Sequence, residues 1–125
     1  VVTPNLQEYE LVVGAWQSET EMSEMAATLL AKHGLSQLLV TRGAGGMTLF
    51  RLDEAPLSLP ARTQEVYDVT GAGDTVAAVV AMGLAMATPW CDVLSVANAA
   101  AGVVVGKLGT AVATLEEIKT FLGRL

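Results

Sequence analysis

The 125-residue sequence predicts an α/β domain with helices layered on a sheet. Three observations carry that prediction. Segments with helical apolar spacing alternate with short apolar runs of strand length. Glycine- and proline-containing breaks separate the two kinds of segment. The composition, 52% hydrophobic against 16% charged, supplies a buried core and excludes a disordered chain.

The first element spans "VVTPNLQEYELVVG". Val1 and Val2 read as the end of a buried strand, Pro4 as an entry turn, and Gly14 as the stop of a short helix. In "SETEMSEMAATLLAKHG", Met22, Met25, Ala26, Leu29 and Leu30 form an i, i+3, i+4, i+7, i+8 stripe. Ser18 and Glu21 suit a capping box, and Gly34 suits a C-terminal stop. "SQLLVTRG" is a buried strand beginning near Gln37, "AGG" a turn, and "MTLFRL" a second strand broken by "DEAP". "LSLPA" and "QEVYDV" read as short strands, with Pro60 at an edge or bend. Two apolar helices follow, near Ala72–Ala87 and Asp92–Val105, both expected to be buried. "GKLGT" is a loop. "TLEEIKTFLGRL" is an amphipathic helix with Thr114 and Glu117 as a second capping box. The four or five strands suit part of a larger sheet, and the missing Met before "VVTPN" suggests a fragment of a longer protein.

The totals exclude some classes. A net charge of -6 argues against a nucleic-acid or anionic-membrane partner. The single cysteine, Cys91, excludes an internal disulfide and fits a reducing compartment. "VVTPNLQEYE" lacks the basic start and apolar core of a secretory signal. The apolar run from Thr75 to Cys91 approaches the length of a membrane span. Pro89 interrupts it and Asp74 and Asp92 flank it, so two buried helices are the better reading.

Four places offer chemistry. In "GAGD", Gly71 and Gly73 permit close backbone approach at a helix start, where first-turn amides lack intrahelical partners. Such amides attract an anion, and Asp74 beside them can accept a proton from an attacking hydroxyl. The plainer alternative makes Asp74 a first-turn partner of the helix dipole, contributing under about 1 kcal/mol. Asn5 and Glu8 share one helix face. They can hold Mg²⁺ through water or orient phosphates, or can simply cap their helix. "TRGAGG" follows a strand, where sheets present ligand sites, although taken alone a plain hairpin turn is the better explanation. Asn98 is a lone amide in "SVANAAAGVVVG"; it bonds backbone in the core or reaches a ligand. His33, Cys91, Trp16 and Trp90 lack partner constellations and read as structural.

Together these stretches resemble the ribokinase (PfkB) family of sugar kinases. "DVTGAGDT" is similar to the family's C-terminal signature and "TPNLQEYE" to its Asn-x-x-Glu motif. "TRGAGG" resembles its nucleotide-side glycine turn, and "ANAAAGVVVGKLGT" the segment closing over adenine. The four occur in the family's order across nearly the whole chain. The wording of "QEVYDVTGAGDTV" and "NAAAGVVVGKLGT" is most similar to the branch acting on heptose 7-phosphate.

The resemblance implies that residues 1–125 form the C-terminal, ATP-binding part of a ribokinase-like three-layer α/β/α kinase domain. Its N-terminal half, carrying most sugar contacts, lies elsewhere. It implies transfer of the ATP γ-phosphate to D-glycero-β-D-manno-heptose 7-phosphate in the cytoplasm, on the route to lipopolysaccharide core. Asp74 is then the catalytic base, with Gly71, Ala72 and Gly73 as the anion hole. Asn5 and Glu8 are the Mg²⁺ and phosphate pair. Thr41, Gly43 and Gly46 line the nucleotide loop, and Asn98 lies on the adenine side. Asp68 borders a monovalent-cation site, K⁺ in some members. A full-length homodimer is compatible with the family. Two other readings stay open: another sugar or nucleoside kinase of the family, or, for the isolated chain, a nucleotide-binding piece without catalysis.

Overall fold

The computed structural model describes residues 1–61, 71–105 and 112–123. It divides into two compact units, Val1–Pro60 and Ala61–Leu125.

In the first unit, helix α1 spans Leu6–Val13 and helix α2 spans Glu19–His33. Strand β1 covers Gln37–Thr41, β2 Met47–Arg51 and β3 Leu57–Leu59. The strands form an antiparallel sheet in the order β1-β2-β3. On the other side of β1 the N-terminal segment runs parallel to it, through bridges Val2–Leu38 and Asn5–Thr41. The Leu39 amide donates to Val2 O at 2.9 Å, and the Thr41 amide to Pro4 O at 3.0 Å. The expected strand end is therefore present, but Val1 and Val2 are exposed rather than buried.

The α2 stripe behaves as its spacing predicts. Met22, Ala26 and Leu30 are fully buried and pack with Tyr9 of α1 and with Leu38, Val40 and Phe50 of the sheet. Alternation sends Leu39 and its register partner Leu49 to the opposite face, and both are fully buried too. Continuous burial along β1 and β2 is what a sheet inside layers requires. The Tyr9 hydroxyl donates to Met22 O at 2.9 Å, so its polar end is satisfied within the core. Trp16 covers Tyr9, with ring centroids 5.3 Å apart.

The capping at α2 differs from expectation. Ser18 Oγ accepts from the Glu21 amide at 3.1 Å, but Glu21 reaches past Ser18 and accepts from the Gln17 amide at 3.2 Å. The extended backbone at Ser18 brings the preceding amide within the carboxylate's reach. At the C-terminus Gly34 adopts the left-handed conformation, φ 62, and ends the helix as predicted.

The second unit contains α3, Ala72–Ala85, α4, Trp90–Val105, and α5, Leu115–Leu122. The Thr114–Glu117 capping box at α5 forms in both directions, at 3.2 Å each. A short connection through Thr88 and Pro89 joins α3 to α4. Close approach of the pair depends on Gly83, where a Cβ would lie 2.5 Å from Val93 Cγ2. α4 is the central helix, burying Leu94, Ala97, Ala100 and Val104.

Within this chain the burial expected of both apolar helices holds for α4 but only along one stripe of α3. Only Val76 and Val80 are fully buried, while Met82 and Met86 are 59% and 71% exposed. Uniform hydrophobicity does not reveal how many faces of a helix are covered, and only one stripe of α3 lies on its neighbours. Among the described residues no helix is long and apolar enough to cross a membrane. The strand expected at "QEVYDV" and the "GKLGT" loop lie outside the described residues.

Candidate functional site

Two local constellations hold the candidate residues, one in each unit. In the first, Asn5 is the N-cap of α1. Its Oδ1 accepts from the Glu8 amide at 2.7 Å, and Glu8 Oε2 accepts from the Asn5 amide at 3.0 Å. The plainer reading of this pair is thus realised as a complete capping box. It does not exhaust the pair. Glu8 Oε1 and Asn5 Nδ2 make no hydrogen bond or ion pair with the described residues.

The parallel bridge sets Asn5 beside Thr41, the last residue of β1. The glycine turn follows immediately. Gly43–Gly45 form a single 3-10 turn, and the Arg42 amide donates to Gly46 O at 2.7 Å across its base. Gly43 and Gly46 have φ of 57 and 84, which side chains with a Cβ adopt only with strain. Nothing lies within 4 Å of where a Gly43 Cβ would stand, so backbone conformation, not crowding, calls for glycine there. The structure therefore brings Asn5, Glu8, Thr41, Gly43 and Gly46 to one end of β1.

Arg42 completes this turn, and sequence reasoning passes over it. Its Nη2 donates to Glu19 Oε1 at 2.6 Å and its Nη1 to Glu19 Oε2 at 3.1 Å. Nη1 also donates to Thr48 Oγ1 at 3.3 Å, and the buried Thr48 hydroxyl lies 2.9 Å from Ser58 Oγ. Hydrogen bonding to Arg42 holds the Glu19 carboxyl below the usual carboxylate range. The partners are 23 positions apart, so no local spacing rule exposes the pair.

The second constellation is the start of α3. Gly71 is its N-cap, with φ 83, and supplies no side-chain acceptor. The Thr75 amide and hydroxyl both donate to Gly71 O, at 3.0 and 3.1 Å. The amides of Ala72, Gly73 and Asp74 are left at the positive end of the helix dipole without a capping side chain. A Cβ at Gly73 would meet nothing within 4 Å. Asp74 stands exposed in the same turn, with no hydrogen-bond or ion-pair partner among the described residues. An anion received by these amides would have a carboxylate as its neighbour.

Asn98 is 5% exposed on α4 and already engaged within the chain. Asp68 lies outside the described residues. Among the described residues no three His, Cys, Asp or Glu side chains converge as a metal cluster. One carboxylate oxygen at Glu8 fits a cation that keeps most of its water, as Mg²⁺ does.

Comparison with known proteins identifies the family and the fold. The sequence pattern of the pfkB family of carbohydrate kinases matches residues 1–117. The Bifunctional protein HldE of Pectobacterium carotovorum is 52% identical over 119 residues, covering 95% of this chain and 25% of the relative. That of Ectopseudomonas mendocina is 48% identical over 124 residues, covering 99% and 26%. The chain spans about a quarter of the length of the curated relatives it matches. Arabidopsis thaliana ribokinase complexed with ribose and ATP superposes with a TM-score of 0.86 at 28% identity, over 96% of this chain and 39% of that one. The described part thus has the ribokinase-like α/β fold.

Proposed function

The chain belongs to the pfkB family of carbohydrate kinases, and from that premise we propose that the full-length protein transfers the γ-phosphate of ATP to a sugar hydroxyl, the acceptor being D-glycero-β-D-manno-heptose 7-phosphate. Residues 1–125 form the ATP-binding, catalytic part of that kinase domain, working in the cytoplasm. The observation that supports the reaction best is the glycine-capped start of α3, whose amides lack a capping side chain and whose first turn carries Asp74. The likeness to a ribokinase complexed with ribose and ATP supports the nucleotide. The wording of residues 64–76 and 98–110, together with the HldE relatives, supports the heptose.

Asp74 accepts the proton of the acceptor hydroxyl while that oxygen bonds to the γ-phosphorus. The bond from the same phosphorus to the bridging oxygen breaks, and its electron pair leaves with ADP. The Ala72, Gly73 and Asp74 amides donate to the phosphoryl oxygens, and being fixed by the helix they need no reorganisation as charge develops. Thr41, Gly43 and Gly46 receive the nucleotide, and Asn98 lines the adenine side. Asn5 and Glu8 would hold Mg²⁺ through water, using Glu8 Oε1. When bound, that ion neutralises charge on the ATP phosphates.

Asp74→Asn in the full-length protein tests the reading. It should nearly abolish turnover while ATP still binds by calorimetry; near-normal kcat would overturn the base assignment. A panel of heptose 7-phosphate, ribose, fructose and nucleosides decides the acceptor.

A further inference from the structure

The fork between Arg42 and Glu19 is costly in groups for a surface pair. Glu19 is 71% exposed, and exposed pairs contribute about 0–1 kcal/mol to stability. Its geometry is more informative than its strength. One planar guanidinium reaches Thr48 on the far stem of the glycine turn while its own backbone forms the near stem, and both are tied to the first residue of α2. The backbone bond from Arg42 to Gly46 closes the turn in its own plane. The side chain fastens that closed turn to the helix beside it. A lysine offers a point charge without the planar fork, so it cannot reproduce this arrangement.

We infer that Arg42 is a positioning residue for nucleotide binding: through Glu19 and Thr48 it holds the 43–46 turn in its receiving shape without touching the nucleotide. The inference rests on the proposed reading of that turn as the nucleotide loop. Three of the five guanidinium N–H donors are engaged by Glu19 and Thr48, which orients the group along the turn and α2.

Steady-state kinetics of the full-length protein, with ATP varied at saturating acceptor, tests it. Arg42→Lys and Glu19→Gln should each raise KM for ATP, by up to about tenfold, the equivalent of one charge-assisted hydrogen bond. kcat and the acceptor KM should stay within about twofold, a split that general loss of structure does not produce. The double variant should be no worse than Arg42→Lys alone, because both changes break one fork. A Gly46→Val variant reports on the turn itself. If it raises KM for ATP and the Arg42 and Glu19 variants do not, the positioning role falls and the nucleotide loop stands. If none of the three raises it, the loop reading falls as well. An effect of Arg42→Lys without one of Glu19→Gln overturns positioning in favour of direct contact. Should Arg42→Lys fail to fold, Glu19→Gln, on an exposed carboxylate, decides alone.

Discussion

Replacing Glu8 with Gln separates two jobs that one carboxylate is given. In the capping box Glu8 Oε2 accepts from the Asn5 amide at 3.0 Å, and Asn5 Oδ1 accepts from the Glu8 amide at 2.7 Å. A glutamine oxygen can stand where Oε2 stands, and the box motif admits either residue. The structural cost is the lost charge at the helix N-terminus, about 0.3–1 kcal/mol. The functional cost is of another size. On the proposed reading Glu8 acts on the cation through water, and losing such an outer partner lowers metal affinity or activity about 10–100-fold. That corresponds to roughly 1.4–2.7 kcal/mol in the barrier. Urea unfolding of the full-length protein should therefore shift little, while kcat/KM falls and the Mg²⁺ concentration for half-maximal rate rises. An unchanged kcat/KM and an unchanged Mg²⁺ dependence in a folded Glu8→Gln protein would refute the second job and leave only the cap. Glu8→Ala is the poorer experiment, because it removes both at once.

Further expectations concern the scaffold. Gly83→Ala gains about 1 kcal/mol of helix propensity but sets a Cβ 2.5 Å from Val93 Cγ2, so overpacking of about 1–3 kcal/mol should make it net destabilising. Adding Val93→Ala should relieve that clash, and a double-mutant cycle in urea with no coupling would count against the close helix approach. Burial pushes the Tyr9 hydroxyl up to about 12. Its contribution is whole below the ordinary tyrosine range near pH 10, and is lost as pH rises toward 12, because only the unfolded state ionises there. The loss should reach roughly 2–3 kcal/mol and be missing in Tyr9→Phe, read from unfolding curves against pH. The Glu19 carboxyl is held low by Arg42, so its small contribution is present above the ordinary carboxylate range and fades on acidification. Arg42→Lys should flatten that acid limb.

What was legible in the sequence followed from local rules. α2 could be read because Met22, Ala26 and Leu30 repeat on one face between Ser18 and Gly34, and each of these does what its position implies. β1 and β2 could be read from unbroken apolar runs. The Asn5–Glu8 spacing announces a helix start and a polar pair, and only the folded structure shows which oxygens the cap consumes. Two things were not legible. The face that α3 leaves uncovered is decided by neighbours, and a sequence apolar on all sides carries no record of them. The bond from Arg42 to Glu19 joins elements far apart in the chain, and neither residue stands out in composition or period.

The parallel bridges of the N-terminal segment also have a bearing on how the first constellation varies. Val2 and Pro4 are held against β1 by main-chain bonds, so the offset between the α1 cap at Asn5 and the glycine turn comes in whole residues. A slip by one position would move the cap about 3.3 Å along the strand and turn Asn5 to the other side of the sheet. Between those two settings there is no intermediate. The ladder works as a ruler with coarse divisions, and substitutions that spare its amides can change the chemistry at its end without changing the distance it measures.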